Sequence, residues 1–323
     1  MADIREFIES SPIGELIKME NVTDVSYNGS SFFYMDNLKG RQKASIEMNS
    51  KEVGDFIRQI ANMAEKQFSV SEPILDISAS IYRLNACHSS IVRIKDEKSY
   101  SFSIRKASLV NHIESDKNFM SKKEEQYLLN LLNNNESIVI SGSTGSGKTE
   151  LQKYLLSKLK KNSRIIIIDN VQELEYLRDY DDLDITSWQV YPNSSQRTFN
   201  TLIRTALRNN PDWLIISESR GDEMSDVLLS IMSGHPIITT IHAEDVLSVP
   251  HRIARLIQKG DPNQKLEDIL NDVNSNFLNY VQLERSIDKN GNVHRYLKQI
   301  GRFDKSKNEM KIVFERKKNN EKD

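Results

Sequence analysis

The chain has 323 residues and a net charge of -2 at pH 7, with 38% hydrophobic and 28% charged residues, the balance of a globular protein with buried cores. So little net charge gives no global case for binding nucleic acid or a membrane surface, and any such contact needs a local patch. One cysteine, Cys87, excludes an intramolecular disulfide and a multi-cysteine zinc site.

Residues 1–106 read as a mixed α+β unit. Ile4 to Lys18 is patterned as an amphipathic helix, and Asp24–Tyr27, Asn28-Gly29 and Ser31–Tyr34 as a hairpin, because Asn-Gly supplies the positive φ angles of a tight turn. Lys51 to Lys66 places Val53, Phe56, Ile57, Ile60 and Met63 on one helical face, with Asn49 or Ser50 as cap. Short strands follow at Leu75–Ser78, Ile81–Ala86, Ile91–Ile94 and Ser101–Ile104, and Cys87 is expected to be a small buried residue. A length prior of about 150 residues per domain suggests two domains. Residues 107–120 are assigned as the linker and 121–323 as the second domain.

From Ser121 the pattern becomes strand–helix alternation. Ser121-Lys122-Lys123-Glu124 is a capping box opening a helix through Leu132. Four short apolar runs without alternation follow: Ser137–Ile140, Ile165–Ile168, Trp213–Ile216 and Ile237–Ile241. Strands buried on both faces of a parallel sheet have this signature. Amphipathic helices carrying Leu202, Ile203, Ala206 and Leu207, then Val227, Leu228 and Ile231, separate them, which makes a wound α/β sheet. Helices at Val246–Ile257 and Lys265–Phe277 come next. Strands at Tyr280–Leu283, Val293–Ile300 and Lys311–Glu315 follow, with a turn at Asn290-Gly291 and a charged, frayed end from Arg316. The N-terminus lacks the apolar run of a signal peptide, and no apolar stretch reaches the ~18 to 20 residues that span a bilayer. A cytoplasmic protein is expected.

Gly142-Ser143-Thr144-Gly145-Ser146-Gly147-Lys148-Thr149 fills every fixed position of the phosphate-binding loop G-x-x-x-x-G-K-[ST], between a short apolar strand and a helical run with Leu151, Leu155 and Leu159. In such a loop backbone N–H groups converge on phosphates and the helix N-terminus adds positive potential. Lys148 is placed to reach the β- and γ-phosphates, and the Thr149 hydroxyl to ligate Mg²⁺, with Glu150 next in the first turn. Hydrolysis also needs a group that orients water. Glu218 stands beyond the carboxyl end of Trp213–Ile216, the end that faces the ligand crevice of a parallel sheet. Asp169 is placed likewise after Ile165–Ile168, with Glu173 four residues on. Position alone leaves these acids open between catalysis and a solvated loop. It leaves Arg208 and Arg220 open between a phosphate contact and ion pairs with Asp212 or Glu223. His235 and His242 bracket the fourth run, and six histidines without a cysteine cluster argue against zinc.

The stretch from Leu207 to Glu223, with Pro211-Asp212-Trp213 and Ser217-Glu218-Ser219-Arg220-Gly221-Asp222-Glu223, resembles the Walker B region of the secretion (traffic) ATPases of type II and type IV secretion systems. Ser233-Gly234-His235-Pro236 and Thr239-Thr240-Ile241-His242-Ala243 are similar to that family's histidine box, and Asp169–Leu174 to its aspartate box. Val22-Thr23-Asp24, Arg83-Leu84-Asn85-Ala86 and Ser103-Ile104-Arg105-Lys106 are similar to its N-terminal signatures. The resemblance runs from about residue 20 to about residue 260 and is strongest to the type IV secretion and conjugation branch.

It implies a smaller N-terminal α+β domain with a C-terminal RecA-like P-loop ATPase domain, and a homohexamer that binds ATP and Mg²⁺. It implies Glu218 as the catalytic carboxylate, with Asp169 and Glu173 handling Mg²⁺ and water, and His235 and His242 as γ-phosphate sensors. Arg105 and Arg83, with Arg220, are implied nucleotide contacts. Partners implied are secretion-system components of the inner membrane, with peripheral membrane association through them and no direct nucleic acid. Asn170 in place of the second acid of the aspartate box predicts slower turnover, and Ser217 in place of glycine predicts a small displacement of Glu218. A scaffold whose ATP binding organises partners, a pilus assembly or retraction motor, and a RecA-like nucleic-acid motor are the alternative readings. The near-neutral charge and the lack of interleaved aromatic and basic residues count against the last.

Overall fold

The computed structural model describes residues 3–107, 111–114, 116–170, 174, 183–191 and 194–316. The chain divides into two units, Met1–Leu109 with Ile287–His294, and Val110–Ser286 with Arg295–Asp323.

In the first unit the single helix expected over Ile4–Lys18 is two, α1 (Ile4–Ser10) and α2 (Gly14–Lys18). Pro12 divides them: the residue before a proline is driven out of the helical region, and Ser11 is extended at φ -78, ψ 171. The strands β1 (Val22–Tyr27) and β2 (Phe32–Asp36) pair antiparallel, but the turn between them is not the two-residue type. Only Gly29 takes a positive φ, +103, whereas the Asn28 side chain accepts from the N–H groups of Ser30 and Ser31 and holds a wider loop. The next strand, β3 (Gly40–Ala44), was not anticipated. It is a polar edge strand, and apolar patterning does not reveal those.

The helix α3 (Ser50–Met63) starts at Asn49, whose side chain accepts from Lys51 and Glu52 N–H while the Glu52 carboxylate accepts from Asn49 N–H. After β4 (Ile74–Ala79) and β5 (Tyr82–Cys87) comes a small ribbon of β6 (Arg93–Ile94) and β7 (Glu97–Lys98), then β8 (Ser101–Lys106). The main sheet has the order β3-β2-β1-β8-β5-β4. One face packs Phe32, Leu84, Phe102 and Ile104 against Val53, Phe56 and Ile57 of α3 and against Ile8 and Ile17. The other face carries the exposed positions of β4, β5 and β8. Cys87 is half-buried, not buried, because it ends β5.

In the second unit α4 (Lys122–Asn133) opens on the expected capping box: Ser121 Oγ accepts from Glu124 N–H and the Glu124 carboxylate accepts from Ser121 N–H. The chain continues through β9 (Ile138–Gly142), α5 (Lys148–Ser157), β10 (Arg164–Asp169), β11 (Asp184–Gln189), α6 (Phe199–Ala206), β12 (Trp213–Ile216), α7 (Met224–Met232) and β13 (Ile237–Ile241). It ends with α8 (Val249–Gly260), α9 (Leu266–Asn276), β14 (Asn279–Ile287), β15 (Val293–Asp304) and β16 (Glu309–Glu315). The helix α8 starts three residues later than the apolar pattern suggested, with Pro250 in its first turn, where a missing N–H is tolerated.

The strand order is β11-β10-β12-β13-β9-β14-β15-β16. The strands from β11 through to β14 are joined by parallel pairs. Strand β11, with the sequence Asp-Ile-Thr-Ser-Trp-Gln, was missed because an edge strand needs no apolar run. The four runs read as doubly buried strands are so: Ile138, Ile140, Ile165, Ile167 and Ile215 enter one core, and Val139, Ile166, Ile168, Leu214 and Ile216 the other. Each such side chain contributes roughly 1.5–3 kcal/mol by burial. Strand β9 sits between β13 and β14, the last parallel strands the chain adds, so the loop after β9 opens at the carboxyl edge where the winding changes direction. No helix among the described residues is long and apolar enough to cross a membrane.

Candidate nucleotide-binding site

The loop Ser143–Gly147 leaves β9 and delivers the chain into α5. Gly147 caps that helix in the left-handed region, φ 97 and ψ 18, which a residue with a Cβ adopts only at a cost. Gly142 is required for space: a Cβ there would lie 2.6 Å from Ser146 Oγ and 2.7 Å from Leu283 O. The helix is clamped over the sheet by Gln152, fully buried, whose Nε2 donates to Ile216 O at 2.8 Å and Ile238 O at 3.1 Å.

Lys148 is buried, and its Nζ donates to Gly142 O at 2.9 Å and Ser143 O at 3.0 Å, with His242 Nδ1 at 3.5 Å. Burial pushes its pKa down to about 8; the Glu218 carboxylate opposes this and the Arg220 charge adds to it. An anionic phosphate favours the protonated lysine, so nucleotide binding above about pH 8 takes up a proton. The dissociation constant for MgADP is therefore expected to rise by about tenfold per pH unit above that point. Calorimetry at rising pH, in buffers of different ionisation enthalpy, reads both the affinity and the proton, and a flat profile without proton uptake contradicts the assignment.

Two residues past β12, Glu218 is held on both sides. Ser217 N–H donates to Ile168 O, Ser219 N–H donates to Thr240 O, and Thr240 Oγ1 donates to Ser217 O, so the segment stays tied to β10 and β13. Arg220 donates to Glu218 Oε2 at 2.5 Å, and the Arg220-Gly221 turn is fixed by the buried Glu223 carboxylate, which accepts both N–H groups. Glu218 Oε1 lies 2.8 Å from His242 Nε2, without the alignment of a hydrogen bond, and is a buried oxygen with no hydrogen-bond partner. Burial raises the Glu218 pKa, but the bond and charge of Arg220, with His242 and Lys148, outweigh it and hold the carboxyl ionised. Burial and the charge of Lys148 keep the His242 pKa below its ordinary value, against the pull of Glu218, so the imidazole is neutral at pH 7.

Lys148, Glu218, Arg220 and His242 are thus brought together at the carboxyl edge of β9, β12 and β13. Asp169, fully buried at the end of β10, accepts from Leu174 N–H at 3.3 Å, one strand from the Glu218 segment. Thr149 is half-buried in the first turn of α5, and Glu150 Oε1 accepts from Lys153 Nζ at 3.0 Å. Glu173 lies outside the described residues.

His235 is not part of this cluster. It precedes β13 and contacts Ser233 Oγ at 3.2 Å, near Glu136 and Ser137, where β9 begins. Five residues of strand, about 16 Å, separate that end from His242. Of the two acids weighed as ion-pair partners, Asp212 accepts from the Arg164 backbone N–H, and Glu223 accepts from the Arg220 backbone N–H.

In the first unit Arg83 and Arg105 stand directly opposite each other on β5 and β8, on the exposed face, paired with Asp76 at 3.5 Å and Asp24 at 3.0 Å respectively. Sequence reading missed Gln152 and two arginines beside the loop, Arg285 and Arg295. Glu223, weighed as an ion-pair partner, instead closes the turn through the backbone N–H groups of Arg220 and Gly221.

The model of the family described as type II/IV secretion system protein matches residues 57–299. An uncharacterized protein of Bacillus anthracis is 29% identical over 333 residues, covering 98% of this chain and 73% of that protein. The type IV secretion system protein VirB11 of Bartonella quintana (strain Toulouse) is 31% identical over 159 residues, 47% of this chain and 42% of that one, so that match spans less than half of the relative. Among solved structures, the Legionella pneumophila ATPase DotB matches with a TM-score of 0.67 and 17% identity, over 90% of this chain and 80% of that chain, a likeness of fold.

Proposed function

This chain belongs to the type II/IV secretion system protein family, and from that premise we propose that it is an ATP hydrolase whose homohexamer powers a type IV secretion or conjugation machine. The observation that carries the reading is the oxygen Glu218 Oε1, buried without a hydrogen-bond partner beside Lys148 and His242 while Arg220 fixes its twin. A carboxylate so held, ionised and with one acceptor open, suits orienting a water and taking its proton.

In this proposal the N–H groups of Gly142 to Gly147 cradle the phosphates, with Ser143, Thr144, Gly145 and Ser146 forming the turn, and Lys148 meets the β- and γ-phosphates. The buried carboxylates at neighbouring strand ends and the Thr149 hydroxyl are the hard oxygen donors that Mg²⁺ takes. Thr149 would hold it directly, Asp169 and Glu218 through water, and once bound it neutralises charge on the phosphates. His242, neutral and beside Glu218 Oε1, reports whether that oxygen is engaged. Arg83 and Arg105 enter the proposal as nucleotide contacts on the family resemblance alone, since each is already paired with a carboxylate of its own unit, Asp76 and Asp24. His235 has no role in it.

The machine's inner-membrane components are the expected partners, with the chain on the cytoplasmic side. Sedimentation velocity with and without MgATP, alongside phosphate release, tests the reading. A hexamer that releases phosphate steadily is expected; a monomer under all conditions that releases none overturns it.

A further inference from the structure

Gly145, at the crown of the phosphate loop, is bracketed by two arginines from the strands on the other side of β9 from Glu218. Arg295 on β15 donates Nε–H to Gly145 O at 2.8 Å, and its Cδ would lie 3.9 Å from a Cβ at Gly147. Arg285 on β14 sits with Cδ at 3.7 Å and Nε at 4.0 Å from where a Cβ on Gly145 would be. Both side chains are half-buried. Burial and the like charge of Arg285 push the Arg295 pKa below its ordinary value, with Glu150 opposing. Among the described residues Arg285 forms no ion pair. Two partly desolvated guanidinium groups side by side destabilise each other, and an anion between them and a ring of backbone N–H donors offsets that repulsion.

The sheet order says which part of an anion they face. Strands β12 and β13, which carry Glu218 and His242, lie on one flank of β9, and β14 and β15 on the other. If the transferred γ-phosphate sits at Lys148 and Glu218, the rest of the nucleotide runs along the loop toward β14.

We propose that Arg285 binds the α-phosphate, the nucleoside-proximal charge of the bound nucleotide, and that Arg295 is a positioning residue that holds the loop open through the Gly145 carbonyl. The inference rests on the ATPase reading but concerns a part of the ligand that ATP and ADP share, so it is measured separately from hydrolysis.

Titration calorimetry with MgADP, and with MgATP in brief incubations, on the full chain and its Arg285→Ala, Arg285→Gln and Arg285→Lys variants is the test, with thermal melting beside it. Alanine and glutamine are expected to weaken ADP and ATP by the same factor, about ten- to hundredfold as for a lost charge-assisted contact. Lysine should restore part of the affinity, and KM should rise by more than kcat falls. The glutamine variant keeps most of the stem and carries the test if alanine does not fold. Unchanged affinity in the variants overturns the inference, as does a loss confined to ATP, which would place Arg285 at the γ-phosphate. A wild-type chain that binds neither nucleotide overturns the nucleotide reading itself, and this inference with it.

Discussion

Lys148→Ala is expected to abolish ATP turnover and to weaken ADP and ATP binding by at least about a hundredfold, the loss of two contacts between a charged donor and phosphate at roughly 1.5 kcal/mol or more each. The size of the effect follows from where the ammonium is. It is buried, anchored on the carbonyls of Gly142 and Ser143, and within reach of His242. Folding should survive, because burial already disfavours the charged form of this side chain and its removal lifts that penalty. Calorimetry with MgADP and phosphate release with MgATP read the two losses; either one left at the wild-type level removes Lys148 from the site.

Glu218→Gln is expected to lower kcat by about 10²- to 10⁴-fold, the usual contribution of a positioned general base, while nucleotide affinity stays within a few-fold of wild type. Glutamine has nearly the same shape, and the segment that holds it is tied by backbone bonds of Ser217 and Ser219 that do not depend on the carboxylate. The substitution removes the open acceptor at Oε1 and the charge that Arg220 grips. His242 loses the one side chain that raises its pKa and stays neutral, so its own protonation does not confuse the result. Stopped assays at saturating MgATP give kcat, and a loss of less than about tenfold would shift the base to another group.

Legibility in the sequence tracked how locally each feature is encoded. The phosphate loop was complete in eight consecutive residues because glycine positions, lysine and threonine each answer one backbone or ligand demand there. Strands β9, β10, β12 and β13 were legible because burial on both faces makes most positions in the run apolar, with Thr239 and Thr240 of β13 as buried polar exceptions. Strands β3 and β11 sit at sheet edges, where that demand lapses, and they were invisible. Pro12 announced a break that apolar spacing over Ile4–Lys18 overrode, and tertiary burial of Ile13 and Ile17 does not require one continuous helix.

At the site, the place of Glu218 after a parallel strand left its role open, and the roles of Glu218, His235 and His242 came from the family resemblance. His235, read as part of the family's histidine box, stands before its strand instead of after it. Arg285 and Arg295 are more than 130 residues from the loop they touch, and nothing local marks them. Ser217 takes no positive φ, so the serine that stands where a glycine was expected carries no left-handed backbone strain.

The nucleotide held by Glu218→Gln after incubation with MgATP, separated from free ligand and identified by chromatography, tests the central claim most directly. Intact ATP on the variant, against ADP on the wild-type chain, is the predicted result. ADP on both, in equal proportion, would contradict the claim that this carboxylate drives hydrolysis at the Lys148 loop.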